Sequence, residues 1–163
     1  MAKVFLLPLF FLFSFLLAPQ LVTADEWAGS ASDALLKVEE VVNPIERLKE
    51  KITLFFKFSD KDKLSYQKYL VEKRLGELDL VIRRGEGDAV EEQSSRYATY
   101  VGRLGDLIAS QKNVADKEQI KQMYREHLKI LDTLQRNFEF GSGWWRLLEN
   151  DINTVKIFID KIN

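Results

Sequence analysis

The chain has 163 residues, with 24 Lys and Arg against 25 Asp and Glu, one histidine and no cysteine. A formal net charge of −1, with both signs interspersed, excludes a general attraction for nucleic acid or anionic lipid. The lack of cysteine excludes disulfides, thiol chemistry and a lipid-modified N-terminal cysteine, so packing alone must hold the fold.

Met1-Ala2-Lys3, an apolar run from Val4 to Leu17, and the small-residue exit Val22-Thr23-Ala24 before Asp25 have the layout of a secretory signal peptide. Cleavage before Asp25 is the expectation, leaving residues 25–163 as one periplasmic or extracellular helical domain. The alternative is an uncleaved anchor over Val4 to Val22, about 19 residues where roughly 20 cross a bilayer; Pro8, Ser14 and Pro19 weaken it.

The expected elements are all helices. A short one covers Asp33 to Val42, and Asn43-Pro44 caps a second that runs to about Phe58. Ser59-Asp60 caps the first long helix, whose Leu64, Val71, Leu75, Leu78 and Ile82 form a coiled-coil-like seam. After the turn Arg84-Gly85-Glu86-Gly87-Asp88, the residues Val90, Tyr97, Val101, Leu104 and Ile108 repeat those steps. The two seams are offset by 26 residues, as are Gly76 and Gly102, which fits either a weak internal duplication or the coincidence of two heptad helices. Asn113 ends this helix and Asp116 is expected to cap the third, with Ile120, Tyr124, His127, Leu131, Leu134 and Phe138 in its seam. Beyond Gly141-Ser142-Gly143, the fourth carries Trp145, Leu148, Ile152, Val155, Ile159 and Ile162. The predicted fold is all-α: an antiparallel four-helix bundle preceded by two short helices.

Chemistry-bearing patterns are sparse. Glu126 and His127 point about 100° apart on a helix and cannot share a ligand site. Met123 and Tyr124 stand where a carboxylate metal bundle needs glutamate, so His127 reads as a seam-margin residue that packs or makes one hydrogen bond. A Met123-His127 pair for a soft ion is the weaker reading. Acidic pairs such as Glu39-Glu40 and Glu91-Glu92 read as solvated faces, and Gly85 and Gly87 lack the preceding strand of a phosphate loop. No Ser-His-Asp set is expected, no cofactor, and no catalytic or metal-ligating residue.

Two aromatic clusters stand out: Phe55, Phe56 and Phe58, and the group Phe138, Phe140, Trp144 and Trp145 around the glycine turn. Either can plug an open end of the bundle or face a partner. Phe138, Phe140, Trp144 and Trp145 are the candidate partner contacts.

The stretch Asn43-Pro44-Ile45-Glu46-Arg47-Leu48-Lys49-Glu50-Lys51-Ile52, then Phe55-Phe56-Lys57-Phe58-Ser59 and Glu72-Lys73-Arg74-Leu75-Gly76-Glu77, resembles a bacterial family of exported or membrane-attached helical domains of unknown function. The resemblance runs from Pro44 to Ile108. It implies export and an all-α architecture, and it brings no catalytic residue. The sequence therefore points to a non-enzymatic extracytoplasmic interaction or scaffold domain whose partner is a protein or envelope component, with membrane contact only through an uncleaved N-terminal segment. A small-ligand or metal-binding bundle is the alternative.

Overall fold

The computed structural model describes residues 38–111 and 113–162, and all regular structure among them is helical. In chain order the helices are α1 (Pro44–Phe55), α2 (Asp60–Arg83), α3 (Gly87–Ala109), α4 (Val114–Gln135) and α5 (Gly143–Lys161). The expected signal peptide or anchor lies outside the described residues, as do residues 33–37 of the expected first short helix. Its remaining part is not helical: residues 38–43 approach α1 as bends and extended chain. Asn43 explains why helix begins only there. Its backbone is extended (ψ 166°) and its side-chain oxygen accepts from the Ile45 and Glu46 N–H groups, both at 3.0 Å, with Pro44 at the first helical position.

The other ends are chemically marked as well. Ser59 Oγ accepts from Asp62 N–H, and Ser142 Oγ accepts from Trp145 N–H. The third long helix is capped by Asn113, not Asp116: Asn113 Oδ1 accepts from Ala115 N–H, while Asp116 holds the Asn113 amide at 2.7 Å. Gly85 closes α2 at φ 68°, and the paired bonds from Glu86 N–H to the Val81 carbonyl and from Gly85 N–H to the Ile82 carbonyl satisfy two terminal acceptors.

The long helices pack as a bundle around the expected seams. Leu64, Val71, Leu75 and Leu78 of α2, all five seam residues of α3, Ile120, Tyr124, His127, Leu131 and Leu134 of α4, Leu148 and Val155 of α5, and Ile162 at its C-cap are buried. Ile82, Phe138, Ile152 and Ile159 are partly buried against this core.

One pair of neighbours is not the one that chain order implies. The main packing pairs are α2 with α3, α3 with α5, and α4 with α5, while α3 and α4 touch far less. Gly87 meets Trp144 at the starts of α3 and α5, and Gly102 and Gly105 meet Phe158 near their ends, so these two neighbours run in the same direction. A Cβ on Gly105 would lie 2.7 Å from the Phe158 ring carbon Cγ. The missing side chain is what lets the ring approach α3 this closely.

Candidate functional site

Helix α1 is amphipathic, and it is mounted with Glu50 inward and its apolar stripe outward. Glu50 is buried, whereas Ile45, Leu48, Ile52 and Phe55 form a stripe that faces solvent and continues into Phe56 and Phe58. These six side chains are between 47% and 81% exposed, and the three phenylalanines touch chiefly one another, edge to face. Phe55, Phe56 and Phe58 therefore do not plug the bundle.

What holds α1 is an ion network. Arg74, 1% exposed on α2, gives one guanidinium nitrogen to both Glu77 oxygens at 2.6 Å and the other to Glu50 of α1. Lys73 adds a 2.9 Å bond to Glu50, and the Val42 N–H reaches Glu77 Oε1 at 3.3 Å. Burial alone would lower the Arg74 pKa, but Glu77 and Glu50 outweigh it and hold the guanidinium charged. Charges so deeply placed are tolerated only because each has its counter-ion. The pairs Glu39-Glu40 and Glu91-Glu92 are exposed, as the solvated-face reading has them, whereas Glu50, Arg74 and Glu77, and elsewhere Asp79 and Asp151, depart from it and are buried.

Between α1, α2 and α3 the chain forms a cleft of about 430 Å³ lined by Pro44, Arg47, Leu48, Lys51, Arg74, Arg96, Tyr100 and Arg103. The Arg74 and Arg103 guanidiniums lie 4.9 and 5.2 Å from the Tyr100 ring centre. Glu92 pairs with Arg96 and stands 3.7 Å from Arg47. The net charge of the chain gives no hint of this local excess of cations.

The interior holds a second polar group, between α3, α4 and α5. The Tyr97 hydroxyl and His127 Nδ1 share a hydrogen bond at 3.0 Å, and Tyr124 donates to the Val101 carbonyl at 2.8 Å. Burial, with Lys68 nearby, lowers the His127 pKa to about 4, so the ring is neutral at pH 7. His127 thus makes the single hydrogen bond expected of it. Burial pushes the Asp151 carboxyl up to about 7 against the opposing pull of the Ser94 hydroxyl. Sequence reasoning missed Asp151 and Ser94, because neither interrupts an apolar stripe. Among the described residues, no three His, Cys, Asp or Glu side chains converge on a point where a metal ion would sit.

The candidate contacts at the glycine turn form two ring pairs. Phe138 lies 5.7 Å from Trp144, and Phe140 lies 4.7 Å from Trp145. Phe138 is partly buried on the core and Trp144 rests on Gly87, while Phe140 stands 83% exposed. Each pair joins a half-buried ring, Phe138 or Trp145, to an exposed one, Trp144 or Phe140.

A family model described as a domain of unknown function, DUF5667, matches residues 39–138. The chain belongs to this family. No curated protein and no solved structure matches it. The DUF5667 match takes in α1 to α4, with the whole ion network and the cationic cleft, and it reaches beyond the Pro44 to Ile108 resemblance on both sides. Helix α5, with Phe140, Trp144 and Trp145, lies after it, although α5 supplies Leu148, Val155 and Ile162 to the same core. Among the described residues, no helix is long and apolar enough to cross a membrane.

Proposed function

We propose that this DUF5667 chain is a non-enzymatic, extracytoplasmic interaction domain, a four-helix bundle with chain neighbours antiparallel, that rests on a lipid surface through the outward apolar face of α1. The observation that carries the reading is the inverted mounting of α1. A helix held by a buried glutamate, with six large apolar side chains facing water, is arranged for an apolar phase outside the fold. Each of those side chains gains about 1.5–3 kcal/mol when fully buried, a gross return on the order of 10 kcal/mol for the face.

Charge and chain continuity support a bilayer as the occupant. Arg47, Lys49, Lys51 and Lys57 flank the stripe, and of the two glutamates on α1, Glu50 is turned inward to Arg74 and Lys73. The apolar run Val4 to Val22 precedes α1 in the same chain, with residues 23–43 between them. Export, by a cleaved leader or an uncleaved anchor, belongs to the same proposal.

Proteolysis tests it. With the full chain in vesicles containing anionic lipid, cleavage at Lys49, Lys51 and Lys57 is expected to slow relative to detergent micelles lacking charge, while cleavage at Lys156 on α5 keeps its rate. Equal slowing at all four sites, or at none, would contradict the lipid-facing reading of α1.

A further inference from the structure

We infer that the cleft between α1, α2 and α3 is a binding site for a phosphate-bearing anion. Five cationic side chains from three helices line it: Arg47 and Lys51 from α1, Arg74 from α2, and Arg96 and Arg103 from α3. Arg74 is consumed by Glu50 and Glu77 beneath the floor. Of the other four, Arg47 and Arg96 share the single carboxylate of Glu92, and Lys51 and Arg103 have no ion pair among the described residues. Four cations against one carboxylate leave three positive charges around one opening.

That surplus decides the ligand class. A monocarboxylate would leave two like charges facing each other, whereas a phosphomonoester or diphosphate brings two or more negative charges and several acceptors for guanidinium forks. The Nε of Arg47 is buried without a hydrogen-bond partner among the described residues, and the Arg103 guanidinium, which has no carboxylate partner, is held over the Tyr100 ring at the cleft. The volume, about 430 Å³, accommodates a diphosphate or a phosphorylated headgroup. The apolar wall is Pro44 and Leu48, and Leu48 also belongs to the exposed stripe of α1. A phosphate carried on an acyl chain could therefore place its head among the arginines and its tail along that stripe. Free phosphate and a lipid headgroup share the chemistry the cleft reads, and the site stands whether or not α1 rests on a bilayer.

Calorimetric titration of the full chain in a non-ionic detergent, at low ionic strength, tests the site without any bilayer. The probes are inorganic pyrophosphate and soluble short-chain phosphatidic acid, with short-chain phosphatidylcholine as the zwitterionic control. One saturable site for pyrophosphate is expected, weakened at least about tenfold in Lys51→Gln/Arg103→Gln and unchanged in Lys156→Gln. Both replaced side chains are exposed, so the double variant keeps its helical signal and melting temperature. Saturation by phosphatidic acid alone, with the same sensitivity to the double variant, also supports the site and assigns its phosphate to a lipid headgroup. No saturation by either phosphate probe in the millimolar range overturns it, as does a double variant that binds like the parent chain.

Discussion

Two glycines on α3 differ in what their missing side chains permit. At Gly102 an added Cβ would stand 3.5 Å from the Phe158 ring, an ordinary contact, whereas at Gly105 it would drive into that ring. Alanine in place of a helical glycine stabilises by about 1 kcal/mol when space allows. Thermal melting of Gly102→Ala is therefore expected at or above the parent temperature. Gly105→Ala should lose about 1–3 kcal/mol as Phe158 is displaced. Equal behaviour of the two would mean that α3 and α5 are not in contact there. Asp151 carries a second residue-level forecast. Its carboxyl titrates at about 7 when buried and at 3.8 when free, so between those values the folded chain keeps a proton that the unfolded chain has lost. The stability from this group is complete below pH 3.8 and is lost as pH rises through about 7. His127 acts in the opposite sense, since its pKa falls from 6.5 to about 4: its contribution is lost as pH falls. Asp151→Asn should therefore melt higher than the parent chain at pH 8, by at most about 4 kcal/mol, with the gap closing toward pH 4. A gap that does not change with pH would show that the Asp151 carboxyl titrates in the fold as it does in the unfolded chain.

At the scale of elements, the seams of α2 to α5 were legible because a side chain every three or four residues reports the covered face of a helix whatever the partner. Leu75, Val101, Leu131 and Leu148 are buried as the pattern requires. The same pattern misleads at α1. Ile45, Leu48, Ile52 and Phe55 show equally good spacing, but spacing states only that an apolar face exists, and Glu50 with Arg74 turns that face outward. Nor does an Arg74/Glu77 pair three residues apart look different in sequence when it is buried. Glu50→Ala should accordingly cost roughly 3–5 kcal/mol, by leaving Arg74 short of a counter-ion, while Phe55→Ser leaves the denaturation midpoint nearly unchanged. The reverse order would place the apolar face inside. Helix α5 supplies the other element-level test. Removing residues 139–163 would expose the core faces of α3 and α4 where Leu148, Val155 and Ile162 now pack, and the cooperative thermal transition should disappear. A sharp transition in the shortened chain would make α5 an appendage.

For the whole molecule, four amphipathic segments joined by short connections specify a bundle, but not which helices become neighbours. The pairing of α3 with α5, in the same direction, rests on Gly87 under Trp144 and on Gly102 and Gly105 under Phe158. The cationic cleft was invisible for a related reason: it gathers residues of three helices, from Arg47 to Arg103, out of a chain whose net charge is −1. The four aromatic side chains at the glycine turn meet as two ring pairs, each with one half-buried and one exposed member. The central claim is that α1 presents its apolar face to lipid. Because the chain has no cysteine, a single one can be introduced and labelled without ambiguity. An environment-sensitive fluorophore at Phe55→Cys, in the full chain reconstituted into anionic vesicles, is expected to shift to the blue and to be quenched by quenchers attached to the lipid chains. The same label at Lys156→Cys should remain in water. If the label at position 55 reports water as fully as the label at position 156, α1 does not rest on the membrane and the proposed role fails.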